Sequence, residues 1–142
     1  MTETLKNCRE LLKNKSYACV IGKDGEIRTS SHNGIRPLID WLEEGKAALS
    51  NAIVADRVVG KAAALLMLYG GVSEVFAEII SEPAAACLAA NHVPFTYEQK
   101  VSHILNRTRT GGCPMEQACL SVDSPEQAYK ILKEKLNFMK KA

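Results

Sequence analysis

From Asn106 to Glu116 the chain reads Asn-Arg-Thr-Arg-Thr-Gly-Gly-Cys-Pro-Met-Glu, a run whose residue types and spacing could do chemistry. Gly111 and Gly112 free the backbone, Cys113 follows, Pro114 suits the first position of a helix, and Glu116 falls in its first turn. Such a run presents a thiol and several backbone N–H groups at a helix N-terminus, which attracts anions and lowers a thiol pKa. Arg107 and Arg109 alternate along an extended segment and so share a face, where they would hold a phosphate or stand in solvent. Cys113 is a candidate nucleophile or redox thiol, against the plainer reading of a small residue at the start of a packed helix. His32, His92 and His103 are the imidazoles that folding could bring to it, although His92, after Asn91, reads more simply as a helix C-terminal cap.

A second constellation is Asp56 with Lys61. Asp56 stands at the N-cap position of a helix expected over Val58 to Tyr69, and Lys61 falls in its first turn. A cation there opposes the helix dipole, so Lys61 implies an anionic partner: a ligand phosphate or carboxylate, or Asp56 itself. The plainer reading is a satisfied cap and a salt bridge.

The elements that must position these residues follow from periodicity. Leu5, Cys8, Leu11 and Leu12 predict an N-terminal helix, and Tyr17 to Ile21 a buried strand. Asp24-Gly25 marks a hairpin turn, with Glu26 to Ser30 as the returning strand. Pro37 opens a helix carrying Leu38, Ile39, Trp41 and Leu42 that stops near Gly45. Ala52 to Ala55 reads as a short extended piece. The helix from Val58 is apolar all round, which predicts burial on several sides, and Gly70-Gly71 ends it. Val75 to Ile80 is a strand, Ser81-Glu82-Pro83 caps a small helix over Ala84 to Ala90, and Phe95 to Tyr97 and Val101 to Leu105 are two extended pieces. Pro114 opens a helix through Cys119, and Ser124-Pro125-Glu126 opens the last, striped by Ala128, Ile131, Leu132, Leu136 and Met139. The alternation predicts an α/β, three-layer fold over residues 1–142 as a single domain, a mixed β-sheet flanked by helices on both faces.

Bulk properties bound the function. With 18 basic and 16 acidic residues the net charge is +2, too even to argue for nucleic acid or a membrane surface. The five cysteines are scattered without a CxxC pair, which argues against a disulfide framework and a structural zinc module and points to a reducing cytoplasm. The start lacks the apolar run of a signal peptide, and the longest apolar stretch, Ala62 to Tyr69, is too short to span a bilayer.

The order of elements, the run from Ala55 to Ala64, and Asn106-Arg107-Thr108 with Cys113 to Glu116 resemble an uncharacterised prokaryotic domain family with a cytidine-deaminase-like fold. The resemblance implies that fold and a pocket at the helix starts. Zinc deaminases place His-x-Glu or Cys-x-Glu at one helix start and Pro-Cys-x-x-Cys at the other, for three metal ligands and a proton-moving Glu. Here one start offers Asp56 and Gly60-Lys61, and the other Cys113-Pro114 in reversed order, with Cys119 about 240° further round a helix. The expectation is therefore no metal and no cofactor. An anionic, nucleotide-like small molecule would sit between the two helix N-termini. Lys61, Asn106, Arg107 and Glu116 would bind it, with Cys113 and Asp56 in the catalytic places. The alternative is a non-catalytic ligand-sensing or protein-binding module. Homo-oligomerisation stays open in both.

Overall fold

In the computed structural model, residues 3–32, 34–104, 114–119 and 121–141 are described. The elements in chain order are α1 (Glu3–Asn14), β1 (Cys19–Lys23), β2 (Glu26–Ser30), α2 (Arg36–Glu44), a 3-10 turn (Lys46–Ala48), β3 (Ile53–Val59), α3 (Lys61–Gly70), β4 (Glu74–Ser81), α4 (Glu82–Ala90), β5 (Phe95–Val101), α5 (Pro114–Cys119) and α6 (Pro125–Lys141). The strands form one five-stranded mixed sheet, ordered β2-β1-β3-β4-β5. The β1–β2 hairpin is antiparallel, β1 runs antiparallel to β3, and β3, β4 and β5 run parallel. The fold is α/β, with helices on both faces of the sheet.

The two faces differ in cover. On one, Leu5, Cys8 and Leu12 of α1 pack on Val20, Ala55 and Phe76. On the other, α2, α3, α4 and α6 share a larger core through Leu38, Trp41, Leu66, Met67, Leu88, Ala128 and Leu132. Trp41 is 6% exposed and belongs to that core. The apolar-all-round α3 lies at its centre, buried along most of its length. Gly71 closes α3 in the left-handed region, at φ 81°, where a side chain would be strained. Tyr69 and Tyr129 stack at 4.8 Å between ring centroids and dock α6 on α3.

Arg57 ties the smaller face together. Its guanidinium donates to the carbonyls of Leu12, Lys15 and Tyr17 around the end of α1, and to Glu78 on β4 at 2.8 Å. Carbonyls at a helix C-terminus lack partners within the helix, so the strand cation fixes where α1 stops.

The structure corrects two boundaries. Asp56 is not an N-cap: it lies inside β3, which runs on through Val58 and Val59 to Gly60. The β-branched residues on either side of Asp56 favour the extended chain, and helix begins only where the alanine run begins. The first extended piece after Pro94 is longer than expected, a strand over Phe95–Val101 paired with β4, while the second is not a strand: of Val101 to Leu105 only Val101 belongs to β5, Ser102 to Ile104 are bend and irregular chain, and Leu105 lies outside the described residues.

Candidate functional site

The parallel strands β3 and β4 both end at one edge of the sheet, and α3 and α4 start there. Open α/β sheets bind ligands beyond the carboxyl ends of such strands. At α4 the vacant N–H groups are served locally, with Ser81 Oγ accepting from Ala84 N at 3.1 Å. At α3 the N-cap is Gly60, which has no side chain to offer.

The carboxylate of Glu116 takes its place. Oε2 accepts from Lys61 N at 2.8 Å and Oε1 from Ala62 N at 2.9 Å, so one anion spans two donors at the positive end of the dipole. Glu116 comes from the first turn of α5, more than fifty residues further along the chain. The approach requires Gly60. A Cβ there would stand 2.1 Å from Glu116 Oε1.

Lys61 starts α3 with its side chain only 13% exposed. Its Nζ meets Asp123 Oδ1 at 3.3 Å, while the Asp123 side chain is 96% exposed. Two thiols lie within reach of the lysine's field. Burial pushes Cys87 up, with Lys61 pulling it down and Asp123 raising it. Burial pushes Cys119 up to about 11, the Glu116 charge adds to that, and Lys61 opposes it. Both are protonated at neutral pH and are poor nucleophiles. Cys8, pushed up to about 11 by burial, and Cys19, raised well above its ordinary value by burial and the Asp56 charge, are no better.

Asp56 sits apart from these contacts, opposite Cys19 in the β1–β3 ladder and 5% exposed. Burial raises its carboxyl to about 7, against the pull of the Val58 and Arg57 N–H groups and the Arg57 charge. Among the described residues its Oδ2 has no hydrogen-bond partner. Of the residues expected from sequence, Lys61 and Glu116 meet at the start of α3. Asn106, Arg107 and Cys113, with Arg109, Gly111 and Gly112, lie outside the described residues. The C-cap residue of α4 is Asn91, whose Nδ2 donates to Cys87 O at 2.9 Å, and His92 one place on closes the helix in the left-handed region, at φ 60°, with its N–H donating to Ala89 O at 3.1 Å. Sequence reasoning did not pick Asp123 or Cys87 for the site. Their link to Lys61 is tertiary, and no local spacing announces it.

Among the described residues no group of three or more His, Cys, Asp or Glu side chains could hold a metal ion. The donor chemistry at the start of α3 agrees: an ammonium stands there, and the Glu116 carboxylate is already bound to two N–H groups. A three-ligand zinc does not fit these residues. A hollow of about 310 Å³ opens elsewhere, beside Lys23, Asp24, Glu26 and Arg28 of the hairpin, and its balanced charges suit no particular ion. No helix among the described residues is long and apolar enough to cross a membrane.

Comparison with known proteins places this geometry in a family. Residues 7–136 match the TM1506 family, described as a domain of unknown function (DUF1893). The match spans most of the chain, and the chain belongs to that family. Its fold is similar to the crystal structure of a DUF1893 family protein, TM1506, from Thermotoga maritima. The TM-score is 0.86 and the identity 25%, over 95% of this chain and 91% of that one. No curated protein matches.

Proposed function

We propose that this DUF1893 domain binds a small anion-bearing, nucleotide-like molecule at the start of α3, and that Glu116 competes with it for the anion's place. The observation that carries the reading is the Glu116 carboxylate on the Lys61 and Ala62 N–H groups, beside the largely buried Lys61 side chain. A receptor that holds a carboxylate from its own chain has the donors, charge and size for a ligand carboxylate or phosphate. Release of Glu116 would accompany binding. Asn106 and Arg107 would add contacts to the anion, and Cys113, immediately before Pro114, would be a polar contact or thiolate at the second helix start. Asp56, holding a proton near neutrality, suits an acid/base role if the bound molecule reaches it.

The finer fold reading, cytidine-deaminase-like, is part of the same proposal. The antiparallel hairpin followed by three parallel strands, with α3 and α4 entered from strand ends, supports it. The nucleotide-like character of the ligand rests on that analogy alone. A hydrolytic zinc reaction is no part of it, because the described residues at the start of α3 do not fit the metal.

Thermal scans with nucleotides, sugar phosphates, sulfate and acetate test the reading. Anions should raise the midpoint of the wild type, since a ligand of the folded state alone shifts its equilibrium. Glu116→Ala should respond at lower anion concentration, because the internal competitor is gone. Lys61→Ala and Arg107→Ala should each weaken binding about tenfold or more, on the scale of a lost charge-assisted hydrogen bond. If no anion stabilises Glu116→Ala, the Glu116 contact is a structural clasp. The chain is then a module for a neutral ligand or a protein partner.

A further inference from the structure

Strand β5 ends the sheet, and among the described residues only β4 pairs with it. Its register shows which backbone groups face outward. Val75 stands opposite Phe95, and Val75 N donates to Pro94 O. In a parallel ladder the bonds of one residue flank its opposite number, so the N–H and C=O groups of Thr96, Glu98 and Lys100 turn toward β4. Those of Phe95, Tyr97, Gln99 and Val101 turn to the open edge.

Open edges invite pairing, and single charges normally blunt them. Here Glu98, which also pairs with Lys13 of its own chain and stays 41% exposed, and Lys100 carry opposite charges two residues apart, an arrangement complementary to itself when reversed. On the alternate positions, Tyr97 is 43% exposed and stacks against Phe95.

We propose that β5 pairs antiparallel with β5 of a second copy, about a two-fold axis through Gln99. The outward backbone groups restrict the register, because odd-numbered residues must face one another. With Gln99 opposite Gln99, Tyr97 meets Val101 of the second copy in a hydrogen-bonded pair. Glu98 then meets Lys100 in a non-hydrogen-bonded pair, where side chains approach most closely, and symmetry repeats each contact. A slip of two residues either way sets Glu98 against Glu98 or Lys100 against Lys100, which repel. The sheet becomes continuous across the two copies, and the pairing is independent of the α3 site.

Sedimentation velocity of the full chain over the micromolar range tests it. The wild type should dimerise. Glu98→Lys and Lys100→Glu should each weaken dimerisation roughly tenfold or more, since each sets like charges opposite one another at both symmetry-related places. The double exchange should restore the dimer. Gln99→Pro should give a monomer with a native circular dichroism spectrum, because it removes an N–H that faces the open edge and leaves the β4 ladder intact. A wild type that stays monomeric, a dimer indifferent to both single exchanges, or a double exchange that restores nothing would each overturn the pairing.

Discussion

Glu116 lays both carboxylate oxygens on backbone N–H groups at the start of α3, whereas Asp56, inside β3, keeps one buried oxygen with no partner among the described residues. The side chains share one chemistry, and the supply of donors separates them. A helix start leaves its first N–H groups unused by the helix, so an arriving carboxylate finds donors and a favourable dipole. A central strand has committed its N–H groups to neighbouring strands. Asp56 stands between β1 and β4 and, among the described residues, is served by the N–H groups of Val58 and Arg57 on its own strand. Burial then decides its protonation.

The sharpest way to break this contrast is pH. The Asp56 carboxyl rises from 3.8 to about 7 in the fold, so the folded state holds its proton where the unfolded state has lost it. That contribution is fully present below pH 3.8 and is lost as pH climbs through about 7. The full loss is on the order of 4 kcal/mol by the linkage relation. Asp56→Asn should remove this slope and exceed the wild type in stability at pH 8. Urea melts of both proteins at pH 5 and pH 8 check it. Parallel pH dependence in the two would mean that Asp56 does not titrate in this range.

At the other carboxylate the expected loss is about 2–3 kcal/mol for Glu116→Ala, which leaves two N–H groups at the buried start of α3 without their charged acceptor. Acetate or phosphate should recover part of it, and neither should rescue an Asp56 variant, because that carboxyl is buried inside the sheet away from any helix start. Gly60→Ala should cost roughly 1–2 kcal/mol, because its Cβ would meet Glu116 Oε1 at 2.1 Å and the flexible carboxylate would yield. Since both changes break one contact, they should not add in a double-mutant cycle. Full additivity would show that Gly60 is needed for something other than Glu116.

The contrast also measures how much the sequence disclosed. Periodicity identified the helices and the α/β layering, because α3 is apolar all round and α6 carries its stripe at helical spacing. Lys61 in a first helical turn implies an anionic partner, and the carboxylate its ammonium meets is Asp123, whereas Glu116, itself among the expected site residues, binds the Lys61 backbone N–H. Asp56 misled because an aspartate before an apolar run is the local signature of a cap, and nothing local shows that Val58 and Val59 continue the strand. The Gly60 approach and the Asp123 contact were not legible. Both depend on α5 and the turn before α6 returning to α3, a tertiary event without a spacing rule.

The smallest effect concerns that last contact. Lys61 Nζ and Asp123 Oδ1 are 3.3 Å apart, but Asp123 is 96% exposed while Lys61 is mostly covered. An ion pair with one partner in water is screened, so Asp123→Ala should change stability by less than about 1 kcal/mol. Its effect on ligand should run the other way. With the competing carboxylate gone, the Lys61 ammonium is more available to an incoming anion, and sulfate or phosphate should bind Asp123→Ala more tightly, by a few-fold at most. Titrations of wild type and variant at low and high salt give the measurement, and the gain should fade as salt screens the charges. If Asp123→Ala binds anions more weakly than the wild type, Asp123 orients Lys61 for binding rather than competing for it. Glu116 would then be the only carboxylate among the described residues that stands in for the ligand.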